Sequence, residues 1–156
     1  MRRRDVMVLA GAAAAAPWTL AHHGWSSFDQ GRPIYLEGTV RKVAWRNPHV
    51  EFDLELPAEP RLPADLAQRP VPAQSAAVDG PRLLASAQLP RRRDKVWHVE
   101  LAPLTRMEAW KVAELKVGDK VSMVGFTFTE EKGEPVLRVE YLFVGERAYG
   151  LRSSPA

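Results

Sequence analysis

Alternation of apolar and polar positions is the strongest pattern in the chain. Ile34, Leu36, Gly38 and Val40 recur at every second residue between polar or aromatic neighbours, which is the period of a β-strand. The apolar phase then moves to Val43 and Trp45, as a β-bulge around Arg41-Lys42 would produce, and bulges bend strands into barrels. Asn47-Pro48 breaks the run. Val50, Phe52, Leu54 and Leu56 then alternate with Glu51, Asp53 and Glu55, which predicts a second strand with one face toward solvent. Trp97, Val99 and Leu101 predict a third strand, with Val96, His98 and Glu100 on its other face. A fourth runs from Lys120 to Thr129 with Val124, Phe126 and Phe128 on one face. A fifth runs from Val136 to Val144 with Leu137, Val139, Tyr141 and Phe143 inward, and Glu131-Lys132-Gly133 closes the hairpin between them.

Two stretches depart from this period. Thr105-Arg106-Met107-Glu108 has the spacing of a capping box and predicts a short helix through Trp110 and Ala113, ended by Leu115-Lys116-Val117-Gly118-Asp119. From Pro57 to Pro90, seven prolines interrupt a segment rich in Ala, Gln and Ser, which predicts a long, mobile Pro/Ala-rich insertion over 57–94, with a helical turn near Pro81 to Leu89. The order is three strands, a helix and two strands, with a bulged first strand. That order predicts a mainly β fold, a small five-stranded OB-like antiparallel barrel with one short helix between strands three and four. A generic antiparallel sandwich is the rival architecture. Neither assigns a function, because such folds host many.

The N-terminus changes the picture from fold to location. Arg2-Arg3-Arg4, the apolar run from Val6 to Pro17 and the small-residue site at Thr19-Leu20-Ala21 have the three-part layout of a secretory signal peptide. The apolar run is shorter than the ~20 residues of a membrane span. Arg3-Arg4-Asp5-Val6-Met7 resembles a twin-arginine export signal, although Arg2 stands where such signals carry Ser or Thr. The expected organisation is a signal peptide over 1–21, a single barrel domain over 22–149 and a loose tail over 150–156, in a soluble periplasmic protein. Cleavage after Ala21 removes three arginines and one aspartate, so the formal charge falls from +3 to +1. A nearly neutral chain offers no electrostatic footprint for nucleic acid. With no cysteine, thiolate metal sites, covalent haem attachment, cysteine nucleophiles and lipid anchoring at a lipobox are excluded.

Several segments carry a family resemblance: Ala21-His22-His23-Gly24-Trp25, Phe28-Asp29, Leu36-Glu37-Gly38-Thr39-Val40, Trp45-Arg46-Asn47-Pro48-His49, Trp97-His98-Val99-Glu100-Leu101 and Leu115-Lys116-Val117-Gly118-Asp119. Together they resemble the small exported bacterial proteins grouped as domain of unknown function 6152. The resemblance implies export and a small β fold, and supplies no established activity.

The candidate chemistry lies in the histidines. Cleavage after Ala21 would make His22 the N-terminal residue, whose free amine and ring nitrogen close a chelate on one metal. A third imidazole completes the tetragonal nitrogen set that Cu(II) favours. His49, held by Asn47-Pro48 at a strand start, is the natural third donor, with His23 as a helper. Cleavage after Leu20 would instead put His22 in second and His23 in third position, also a copper-chelating end. The candidate metal residues are therefore His22, His23 and His49, with copper as the candidate cofactor. The bland reading is a polar, easily processed start that binds metals adventitiously, with His49 capping its turn.

Pairing of strands two and three puts His98 nearer Asp53 than His49, so His98 is left out of that site. Glu51, Asp53 and Glu55, with Glu100 nearby, form an acidic stripe that fits acid-base work, a metal oxygen ligand or, more simply, a solvated strand face. Trp25, Trp45, Trp97 and Trp110 fall mostly on core-facing phases, and Arg91-Arg92-Arg93 reads as solvent-exposed. No phosphate loop, nucleophile elbow or zinc-protease helix occurs, and a copper oxygenase would need a substrate platform that has no marker here. The expectation is a soluble periplasmic binding protein with these histidines as its copper ligands, its enzyme status left open. The alternative is a metal-free OB-like adaptor for a peptide, glycan or protein partner.

Overall fold

The computed structural model describes residues 24–156. One sheet holds six strands: β1 (Ile34–Ala44), β2 (Glu51–Glu55), β3 (Val96–Glu100), β4 (Lys120–Phe126), β5 (Val136–Val144) and β6 (Arg147–Gly150). Their order is β3-β2-β1-β4-β5-β6, and an additional β3–β5 pairing closes the first five strands into a barrel. Helices are few and short: α1 (Gly80–Ser86) and α2 (Leu104–Ala109).

The barrel is mixed, where the sequence reading expected an antiparallel one. The β3–β5 seam is parallel, with His98 beside Val136 and Glu100 beside Arg138. Counting explains it. Strand directions cannot alternate all the way round a closed ring of five, so one seam must be parallel. β6, which the reading did not anticipate, pairs with the later part of β5 beyond that seam.

The predicted bulge is present. Arg41 pairs with Asp53 and Val43 with Phe52, so Lys42 is the extra residue, and it adopts a positive φ of 36°. Before the bulge, Ile34, Leu36 and Val40 point into the barrel, where they meet Phe52, Leu54, Trp97, Val99, Met123, Leu137 and Val139. These side chains are essentially inaccessible to solvent. Each contributes about 1.5–3 kcal/mol by leaving water. Gly38 shares that inward phase, and glycine is required there because a Cβ would collide with the Glu55 carbonyl oxygen across the strand pair.

Three local expectations are corrected. Thr105 does not cap the helix: α2 begins at Leu104, its N-cap is Pro103, and the Leu104 amide donates to Asn47 Oδ1 at 2.9 Å. A side chain from the β1–β2 turn supplies the missing acceptor, so the local box is not used. On β5, Tyr141 and Phe143 face away from the barrel interior, and Leu142 takes the inward position. Opposite β4, Gly125 pairs with Val139 and Val124 with Tyr141, so Glu140 is an extra residue that flips every later side chain to the other face. Arg91 and Arg92 are not simply solvated. Their amides donate to the buried Glu131 carboxylate at 2.9–3.4 Å, and the Arg92 guanidinium donates to the Glu131 and Gly133 carbonyls.

The segment over 57–94 packs on the outside of the barrel. Leu66, Leu84 and Ala87 form a second apolar cluster with Tyr35, Val124, Tyr141 and Phe143. Its helix α1 has a local cap, Asp79 Oδ1 accepting from the Arg82 amide at 3.2 Å. The tail, expected to be loose, lies against the barrel: Leu151 joins the core, Ser153 N donates to Gln74 Oε1 at 3.0 Å, and Trp110 Nε1 donates to Ser153 O at 2.8 Å.

Candidate functional site

A cluster of polar side chains lies where β2, β3 and β5 meet outside the barrel. Alternation puts Glu51 and Asp53 on the outer face of β2, with His49 two residues before Glu51 on the same phase. Pairing then sets Glu51 opposite Glu100 and Asp53 opposite His98, while the parallel seam sets Glu100 beside Arg138.

His98 lies among carboxylates, as the pairing argument predicts. Its Nδ1 is 3.3 Å from Asp53 Oδ1 and its Nε2 is 3.5 Å from Glu51 Oε2. That Nε2 is buried and makes no hydrogen bond. One ligand atom each from Glu51, His98 and Glu100 lie within 4.8 Å of one another, a group of side chains that could hold a metal ion. Beside it, Glu51, Asp53 and His98 line a cavity of about 390 Å³ together with Lys42 and Arg46 of the bulged end of β1.

Arg138 links this cluster to His49. Its guanidinium is 3.5 Å from Glu100 Oε2, and both terminal nitrogens are 3.5 Å from His49 Nε2. Burial pushes its pKa below the ordinary guanidinium value, against the pull of Glu100. The same guanidinium lies 4.8 Å from the ring centre of Trp25, and Arg152 lies 3.9 Å from that ring. Arg152 in turn pairs with the fully buried Glu140 at 2.8 Å. Burial raises the Glu140 pKa, with Arg152 and Gln74 opposing it.

Of the residues singled out from sequence, His49 stands at the edge of this cluster, half-buried against Arg138. His22 and His23 lie outside the described residues. Trp97 is a core residue, and Trp45 and Trp110 pack against the core. Trp25 instead sits with the two arginines. Sequence reasoning missed Arg138, Glu140 and Arg152. The signal was available for the first two: each interrupts the apolar run of β5, and charged residues inside a barrel strand need partners.

No curated protein and no solved structure matches the chain. Residues 8–60, which carry Trp25, His49, Glu51 and Asp53, match the model of a family described as Family of unknown function (DUF6152).

Proposed function

We propose that this chain is an exported, periplasmic binding protein that holds copper through its mature N-terminal histidine and His49. The observation that carries the reading is the position of Trp25. Its ring lies 4.8 Å from the Arg138 guanidinium, whose nitrogens are 3.5 Å from His49 Nε2. His22 is only three residues ahead of Trp25, and an extended chain advances at most ~3.6 Å per residue. That spacing is short enough for the N-terminal amine and imidazole of a chain cut after Ala21 to reach His49, which supports the reading. We further assign the barrel to the OB-like class, on its five closed strands, the bulged β1 and the helix between β3 and β4.

The test is the intact mass of protein purified from the periplasm, followed by copper titration. A chain that starts at His22 and takes up one equivalent of copper is the expected result. Replacing both His22 and His23 by alanine removes the N-terminal imidazoles and should weaken binding at least tenfold; unchanged affinity overturns the reading. Affinity should also fall as pH drops, because amine and imidazole must lose their protons to ligate.

A further inference from the structure

We propose that Glu51, His98 and Glu100 form a zinc site on the outer face of the barrel, separate from the N-terminal copper chelate. Three features point to a cation there. The first is spacing. Zinc bound at about 2.1 Å in a tetrahedron sets its ligands about 3.4 Å apart. His98 Nε2 and Glu51 Oε2 already stand 3.5 Å apart, and the Glu100 oxygen lies within 4.8 Å of both. All three residues stand on the paired strands β2 and β3.

The second is the orientation of the imidazole. Asp53 Oδ1 lies 3.3 Å from Nδ1. On the other side of the ring, Nε2 is buried, has no hydrogen bond and faces Glu51 Oε2 at 3.5 Å. A cation on Nε2, a proton or a metal ion, satisfies both atoms. A carboxylate behind a histidine that presents its other nitrogen is also how proteins orient zinc-binding imidazoles.

The third is the open side. Glu51, Asp53 and His98 border the cavity of about 390 Å³, which leaves room for a water as fourth ligand. The donor set, one imidazole and two carboxylates with no thiolate, suits zinc and differs from the all-nitrogen set of the copper chelate. The two carboxylates balance the dication, and Arg138, 3.5 Å from Glu100, offsets part of that charge.

The competing arrangement is a doubly protonated His98 clamped as an ion pair between Glu51 and Asp53. Zinc chloride titration of metal-free protein decides between them, read by calorimetry and by the nitrogen resonances of the histidine rings. The protein carries His22→Ala, His23→Ala and His49→Ala, so that the imidazoles of the copper chelate contribute nothing. One equivalent of zinc should bind and shift the His98 Nε2 resonance. His98→Ala and Glu51→Gln should each weaken binding at least tenfold, and Asp53→Asn should weaken it about 10–100-fold through the lost orientation of the ring. Zinc uptake that His98→Ala leaves unchanged overturns the proposal. So does a His98 whose two nitrogens both stay protonated as zinc is added to the unaltered protein, a reading that needs no variant to fold.

Discussion

Glu131 and Glu140 are both buried carboxylates, and their surroundings push them in opposite directions. At Glu131 burial alone would raise the pKa, but Arg32 at 2.7 Å and the Arg91 and Arg92 amides outweigh it and hold the carboxyl below the ordinary 4.5. A group with a lowered folded pKa contributes its full stability above the unfolded value and loses it as pH falls through the folded one. Glu131→Gln should therefore cost about 2 kcal/mol at pH 7, and urea unfolding should show the gap to the parent protein closing in acid. At Glu140 burial is the largest influence and wins, so the pKa is raised in spite of Arg152 and Gln74. Here the sign reverses: the contribution is complete below the unfolded value and is lost as pH rises through the folded one. Glu140→Gln should leave stability at pH 7 within about 1 kcal/mol of the parent or raise it. If it costs as much as Glu131→Gln, the buried Glu140–Arg152 pair is worth more than its desolvation.

The β1 strand concentrates the backbone demands of the barrel. Lys42 at the bulge has a φ of 36°, in the left-handed region that disfavours a side chain with a Cβ. Lys42→Gly should raise the unfolding free energy by about 0.5–1 kcal/mol, because the strain relieved exceeds the extra freedom glycine has in the unfolded chain. Four residues earlier the requirement runs the other way. Gly38 has no room for a Cβ against the Glu55 carbonyl, so Gly38→Ala must push β1 from β2 and should speed amide exchange along that pair. A stabilised Gly38→Ala protein would show that the two strands do not approach this closely. The α2 helix teaches a related lesson. With only six residues it has little intrinsic stability, and its first amide is satisfied by Asn47 from a distant turn.

For the whole molecule, the question is whether the 57–94 segment folds with the barrel. It covers an outer face made of Tyr35, Val124, Tyr141 and Phe143, and its Leu84 is only 2% exposed. Leu84→Ala should lower the global unfolding free energy by about 2–4 kcal/mol, with a single denaturant transition. A variant that loosens the segment alone, leaving the barrel transition in place, would make the segment a separate unit. This arrangement also bears on the adaptor alternative, since a partner for the β1–β4–β5 face would have to displace Leu66 and Leu84. No helix among the described residues is long and apolar enough to cross a membrane.

Local periodicity was enough to mark the five barrel strands and the Arg41–Val43 bulge, because burial on one face imposes a two-residue pattern. It also marked His49 and the acidic stripe as candidate chemistry. Contacts between distant residues decided the rest. The parallel β3–β5 seam follows from closing an odd number of strands, which no local pattern records. The extra residue Glu140 flips Tyr141 and Phe143 outward, and its only sequence trace is a charge in an apolar run. The Asp53–His98–Glu51 arrangement, the Arg138 bridge to His49 and the seat of Trp25 between two arginines each join residues far apart in the chain. Side-chain identity can be read along a chain, but the distance between two side chains exists only once the barrel has closed.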